Sequence, residues 1–270
     1  MGDIPSEIAQ ELGITIIPVN VLFGTESYRD GVDLTTEQFY DKLVRSKTLP
    51  TTSVPPPGAF VEVYDRVAQE TGEIAVITVS HKLSATYETA LHATEMMKRK
   101  CRVEVIDSLL IVMAEGLIVI TAAKAAKAGA SLDEVIDITK RNISRAEVRM
   151  AFDTLEYLKR GGRIGAAGAF LGSILKVNPV LTLKDGEIHG VARPRSRAKA
   201  IDHLYDFATS FSHIDGMAVE HATTPDEAEI LAERLGAKFP EERIYRSKVS
   251  PVIGAHVGPS VLAVSVLGDR

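Results

Sequence analysis

Ile74-Ala-Val-Ile-Thr-Val79 is an unbroken β-branched and apolar run of strand length, and it empties into Ser80-His-Lys-Leu-Ser84-Ala-Thr86. An amphipathic pattern over Thr86–Lys100 then reads as a helix, and Val103–Ile106 as a short strand ending in Asp107-Ser108. Strand, helix and strand in this order predict a parallel βαβ unit whose first strand is buried. Working residues of such sheets gather at the carboxyl ends of the strands, which places Ser80–Thr86 and Asp107-Ser108 on one rim.

The rhythm extends in both directions. Upstream, Ile14–Phe23 is strand-like, Thr35-x-x-Gln38 reads as a capping box opening a helix to Arg45, and Gly58–Thr71 reads as a helix. Thr51–Gly58, with prolines at 55, 56 and 57, reads as an ordered loop. Downstream, Gly116–Ala128 is an Ala-rich helix and Ser131-x-x-Glu134 caps another. Beyond residue 148 come short helices over Asp153–Arg160 and Ala167–Leu175, then a hairpin, Val180–Leu183 and Glu187–Val191, around Asp185-Gly186. A helix (Arg197–Ser210), a strand (Met217–Ala222), a helix begun by Thr224-Pro225 and two strands (Ile244–Val249, Val261–Leu267) joined by a turn at Gly254–Pro259 complete the chain. The expected fold is α/β with two α/β domains. The first, residues 1–148, has a parallel sheet; the second, residues 149–270, has a mixed sheet.

Composition narrows the function. The 270 residues are 45% hydrophobic and 25% charged with a net charge of −5, ordinary globular values. One cysteine, Cys101, excludes a disulfide framework and fits a reducing compartment. The start MGDIPSEIAQ is no signal peptide, and the most apolar stretch, Leu109–Ala123, is interrupted by Glu115 and Gly116. A membrane span needs about 20 apolar residues, so a cytoplasmic protein with no membrane span is expected. Charge is uneven: Lys159–Lys199 holds nine basic residues against Asp185 and Glu187, a local net of +7. An acidic chain with no Trp and no recognised module nevertheless argues against nucleic acid.

Seven histidines form no HxxxH or HxH pair, so no metal site is expected and no cofactor is implied. The glycines at 161, 162, 165 and 168 lack the Gly-Lys-Ser/Thr ending of a P-loop, and a helix stop explains them. Ser80–Thr86 is richer. Its hydroxyls leave a strand and enter a helix, where backbone N–H groups and hydroxyls together suit an anion. Thr51-Thr52-Ser53 and His256 are two further polar points.

These segments together resemble the DegV family of bacterial fatty-acid-binding proteins. The matching stretches are Asp3-Ile-Pro5, Glu11-Leu-Gly-Ile14 leading to Ile17-Pro18, Thr52-Ser53 before proline, Leu83-Ser-Ala-Thr-Tyr87 and Val105-Ile-Asp-Ser108. Asp153-Thr-Leu-Glu-Tyr-Leu-Lys-Arg-Gly-Gly-Arg-Ile164, Lys176-Val-Asn-Pro179, Gly186, Arg193 and Gly254-Ala-His256 follow in order. The resemblance implies one long-chain fatty acid bound by a two-domain fold, its carboxylate held by Thr52 and Ser84 with His256 assisting. It also implies a separate ATP-dependent fatty acid kinase that phosphorylates the bound acid for phospholipid synthesis, the chain itself being a carrier and not an enzyme. Arg163 and Arg193, in the basic segment, become a docking surface for that acidic partner.

Three departures carry expectations. The family's strand ending in Thr-Asp-Ser before Asp3-Ile-Pro5 has no counterpart here, so the first sheet should show a gap or exposed apolar residues. Ala85 replaces a glycine, which requires a negative φ. Gly258-Pro259-Ser260 replaces a glycine-richer ending that aims His256. The rival readings are a serine hydrolase using Ser84, His256 and Asp107, although no GxSxG is present, and a kinase, although no Walker A is present.

Overall fold

The computed structural model describes residues 1–171 and 177–270. In chain order the first half holds α1 (Ser6–Glu11), β1 (Asn20–Phe23), β2 (Glu26–Arg29), α2 (Thr36–Arg45), β3 (Thr51–Ser53), α3 (Pro57–Val67), β4 (Glu73–Thr78), α4 (Thr86–Thr94), β5 (Arg102–Asp107), α5 (Val112–Lys127) and α6 (Leu132–Ile143). The second holds β6 (Ala146–Ala151), α7 (Glu156–Arg160), a 3-10 turn over Gly165–Phe170, β7 (Val180–Lys184), β8 (Glu187–Ala192) and α8 (Arg197–Thr209). β9 (His213–His221), α9 (Pro225–Gly236), β10 (Ile244–Lys248), α10 (Pro251–Val257) and β11 (Leu262–Asp269) complete it.

The α/β class and both sheet types are present. β4 and β5 run parallel, with Ile74 opposite Val103 and Ile77 opposite Ile106. The mixed sheet has the order β10-β9-β11-β6-β7-β8, in which β9 and β10 are parallel and the other pairs antiparallel. β6 spans residues 146–151 inside this sheet, so the 148/149 division falls within a strand. One apolar core runs through both halves: Phe39, Leu117 and Ile118 share it with Val148, Leu181 and Ile253. A small antiparallel sheet, β2-β1-β3, adds to the first half.

Local chemistry explains most elements. Thr35 with Gln38 and Ser131 with Glu134 form reciprocal capping boxes that start α2 and α6. Asp185 and Gly186 take φ of +50° and +82°, the paired left-handed conformation of a tight hairpin turn. Four expectations need correction. The Ile14–Phe23 strand is confined to Asn20–Phe23, because it ends where β2 folds back on it. Thr51–Ser53 is a strand and not a loop, since it pairs with β1 before the prolines. The Gly254–Pro259 turn is instead the helix α10, opened by Pro251 at its first turn and ended by Gly258 at φ +80°. The Ala167–Leu175 helix is a 3-10 turn over Gly165–Phe170, and residues 172–176 lie outside the described residues.

Among the described residues β4 pairs only with β5, and a cleft of about 1540 Å³ runs alongside it, lined by Ile17, Tyr64, Ile74, Val76 and Val119 among others. Ile74, Val76 and Ile77 of β4 are accordingly only half-buried and Ala75 is exposed, whereas parallel strands are ordinarily covered on both faces.

Candidate functional site

The Ser80–Thr86 segment is tightly built. Ser80 N–H donates to Leu110 O at 2.9 Å, and Ser80 O accepts the N–H groups of Leu83 (3.0 Å) and Ser84 (3.1 Å), closing one helical turn. The buried Ser80 hydroxyl donates to Gly186 O across to the β7–β8 turn at 2.8 Å, a contact so close that a Cβ at position 186 would meet Ser80 Oγ at 2.6 Å. Ala85 stands at the N-cap of α4 with φ −72°, so the absent glycine costs nothing in backbone strain. Among the described residues no side chain caps α4, and its first N–H groups stay available beside the Ser84 and Thr86 hydroxyls, which hydrogen-bond each other at 2.8 Å.

Thr52 and His256 arrive from opposite ends of the chain. β3 sets Thr52 opposite Val21, and α10 brings His256 against it, with Thr52 Oγ1 and His256 Nε2 2.8 Å apart. Close packing places α10: a Cβ at Gly254 would lie 2.6 Å from both Phe39 and Tyr40, and Tyr40 donates to Val249 O at 3.0 Å. On its other side a Cβ at Gly161 would lie 2.5 Å from His256 Nδ1. Burial, and then the nearby Arg163 guanidinium, push the imidazole down to about 4, so His256 is neutral at physiological pH. Its Nδ1 is buried without a hydrogen-bond partner among the described residues.

Arg163 joins these parts. Its Nε donates to Leu83 O at 3.1 Å and its Nη1 to Gly161 O at 2.7 Å, so one half-buried guanidinium touches the turn that carries Ser84 and the loop that abuts His256. Ser84 itself bonds to Thr86 and makes no hydrogen bond with Thr52 or His256. Sequence reasoning put Arg163 on a docking surface, whereas two backbone oxygens occupy it here. The only hint was its place after Gly161-Gly162, which lets the chain reverse.

Arg193 is exposed, its guanidinium 4.1 Å above the Phe170 ring centre and donating to Ala169 O at 2.8 Å. The basic segment is partly neutralised, because Arg160 pairs with Glu156 at 2.5 Å and Arg197 with Glu227 at 2.7 Å. Lys176 lies outside the described residues. The hydrolase geometry does not assemble: His256 faces Thr52, and the Asp107 carboxylate that would orient it holds His81 instead.

Comparison with known proteins gives the fold its relatives. A family model described as an uncharacterised protein of the DegV family matches residues 1–269. The chain belongs to the DegV family. A DegV domain-containing protein of Clostridium perfringens is 35% identical over 268 residues, covering 97% of this chain and 94% of the relative. Protein DegV of Bacillus subtilis is 34% identical over 267 residues, with the same two coverages of 97% and 94%. Among solved DegV structures, a fatty-acid-binding member from Thermus thermophilus superposes with a TM-score of 0.90 at 31% identity, over 99% of this chain and 96% of that one. The Bacillus subtilis DegV, described as a fatty acid binding protein, gives 0.89 at 31%, over 98% and 96%.

Proposed function

We propose that this chain binds one long-chain fatty acid in the cytoplasm and presents it to a separate ATP-dependent kinase, which converts the carboxylate to an acyl phosphate. The Thr52–His256 hydrogen bond at 2.8 Å carries the reading, because it joins two polar groups from distant segments that are flanked by core residues, Val21 opposite Thr52 and Ala255 and Val257 beside His256. The carboxylate takes the hydroxyls of Thr52 and Ser84 and the open start of α4, with His256 as a neutral partner. The Arg163 charge lies behind them.

Such a site holds an anion without burying a full counter-charge against it. A bidentate Arg would occupy both carboxylate oxygens, whereas single hydroxyl donors leave one free to attack a phosphoryl group. The tail supplies the affinity: at about 0.8 kcal/mol per buried CH₂, fourteen methylenes give on the order of 11 kcal/mol before entropic losses. Val21, Phe23, Leu83, Leu158 and Ile253 belong to the apolar cluster that would receive it. Arg193, exposed on its Phe170 platform, is the better candidate of the two arginines for contact with the kinase.

The test is mass spectrometry of lipid that co-purifies with the native protein, followed by palmitate titration of Thr52→Ala and Ser84→Ala. A stoichiometric fatty acid and affinity losses of about tenfold in each variant are expected. Unchanged affinity in both variants rejects the head-group assignment.

A further inference from the structure

The helix that carries His256 leans on a residue far away in the chain. α10 spans seven residues, Pro251–Val257. A helix of that length is marginal in water by itself, so what holds its ends decides how it lies. Pro251 in its first turn has no N–H to give, and among the described residues no side chain caps the helix from Ser250. Val252 N–H is therefore its first donor, and it donates to Asp30 Oδ2 at 3.3 Å, across 222 positions. At the other end Gly258, at φ +80°, turns the chain against Tyr157, whose ring a Cβ there would meet at 2.4 Å.

Asp30 also holds the other half of the site. It follows β2, and its N–H donates to Val19 O at 2.9 Å, just before β1. β1 in turn sets Val21 opposite Thr52. One half-buried residue thus ties the strand that places Thr52 by its main chain, and the helix that places His256 by its carboxylate. α-Helical bonding runs from each N–H to the C=O four residues back, so His256 stands one turn above Val252 on the same face of α10. Any slip at the start of α10 is passed on to His256 Nε2, which bonds Thr52 Oγ1 at 2.8 Å.

We propose that Asp30 is a positioning residue of the head-group site: by accepting Val252 N–H it sets the rotation and height of α10 and so aligns His256 Nε2 with Thr52 Oγ1. This deepens the fatty-acid reading and rests on it for the identity of the ligand. Asp30 acts through β1 and α10 and makes no hydrogen bond of its own to Thr52 or His256 among the described residues. What it supplies is an acceptor atom. Asparagine, which keeps a carbonyl oxygen at the same reach, should therefore replace it, and alanine should not.

Asp30→Ala and Asp30→Asn, studied in the full chain by palmitate titration and by the proton spectrum of the His256 ring, test this. Asp30→Ala should weaken palmitate binding about tenfold and move the His256 titration up from about 4 toward the ordinary imidazole value near 6.5, as the ring leaves its buried seat. Asp30→Asn should lose less than about twofold in affinity and keep the His256 signal in its wild-type place. Asp33→Ala, at an exposed aspartate whose carboxylate bonds to Arg29 alone among the described residues, should change neither. A merely structural role would lower the melting temperature of Asp30→Ala and leave the ring and the affinity of the folded protein untouched; that result overturns the proposal. Equal losses in Asp30→Asn and Asp30→Ala overturn it too, because the charge and not the acceptor would then matter. If Asp30→Ala does not fold, Asp30→Ser, whose shorter side chain falls short of the amide, is read in its place. A wild type that does not bind palmitate sinks the fatty-acid reading, a distinct outcome, and the His256 spectrum then still decides the role of Asp30.

Discussion

Thr52 and His256 share a hydrogen bond at 2.8 Å although 204 positions separate them in the chain. The site is therefore a product of the whole fold, and its chemistry depends on the neutrality of one imidazole.

Acid should unfold the protein through His256. The folded group is held down at about 4 and the unfolded group sits near 6.5, so the unfolded state binds more protons between those values. Stability is full above about pH 6.5 and falls by on the order of 3 kcal/mol as pH drops toward 4. His256→Asn should flatten that limb of a urea-denaturation series; an unaltered limb would assign acid sensitivity elsewhere.

Glu115 works in the opposite direction. Burial, eased by the Met1 ammonium and reinforced by Asp3 and Asp107, pushes its carboxyl up to about 8. The folded state keeps a proton that the unfolded state releases near 4.5, so stability present below that pH declines as pH rises toward 8. Glu115→Gln should raise stability at pH 8 by roughly 1–3 kcal/mol and leave pH 4 unchanged. Thermal melts at the two pH values check it.

Gly161→Ala tests how tightly His256 is placed. The backbone there has φ −73°, so any cost is steric: the added methyl would meet Nδ1 at 2.5 Å and Tyr157 O at 3.1 Å. Destabilisation of about 1–3 kcal/mol is expected, with a loss of fatty-acid affinity beyond that of a control glycine such as Gly72, which has nothing within 4 Å. Equal affinity in both variants would detach His256 from the ligand.

The two arginines should separate. Arg163→Ala removes bonds to Leu83 O and Gly161 O together with the charge that depresses His256, so the His256 proton resonance should titrate at higher pH and lipid affinity should fall. Arg193→Glu, at an exposed position, should leave lipid affinity intact and slow phosphorylation by the kinase. Equal losses of lipid affinity would merge the two roles.

Legibility followed the range of the interaction. Thr35 with Gln38, Ser131 with Glu134 and Asp185-Gly186 act over two to four residues, and their elements were readable. β2 was missed because Glu26–Arg29 is almost wholly exposed and shows no apolar alternation. β3 was obscured by its neighbouring prolines, and α10 by the glycines at 254 and 258, which serve packing against Tyr40 and chain reversal. The Thr52, Ser84 and His256 assignment came from resemblance. No local pattern could show that Arg163 turns inward, because its acceptor at Leu83 lies 80 residues away.

Ser80 bonded to Gly186 and Leu83 bonded to Arg163 mean that both ends of the serine turn are clamped by the second half of the chain. Neither half is then an heirloom that could be passed on alone. A fragment carrying Thr52 and Ser84 inherits the hydroxyls but not their alignment, and one carrying His256 and Arg163 inherits a histidine with nothing to face. Recombination at the middle of the chain therefore conserves these contacts only when both parents already agree on their geometry.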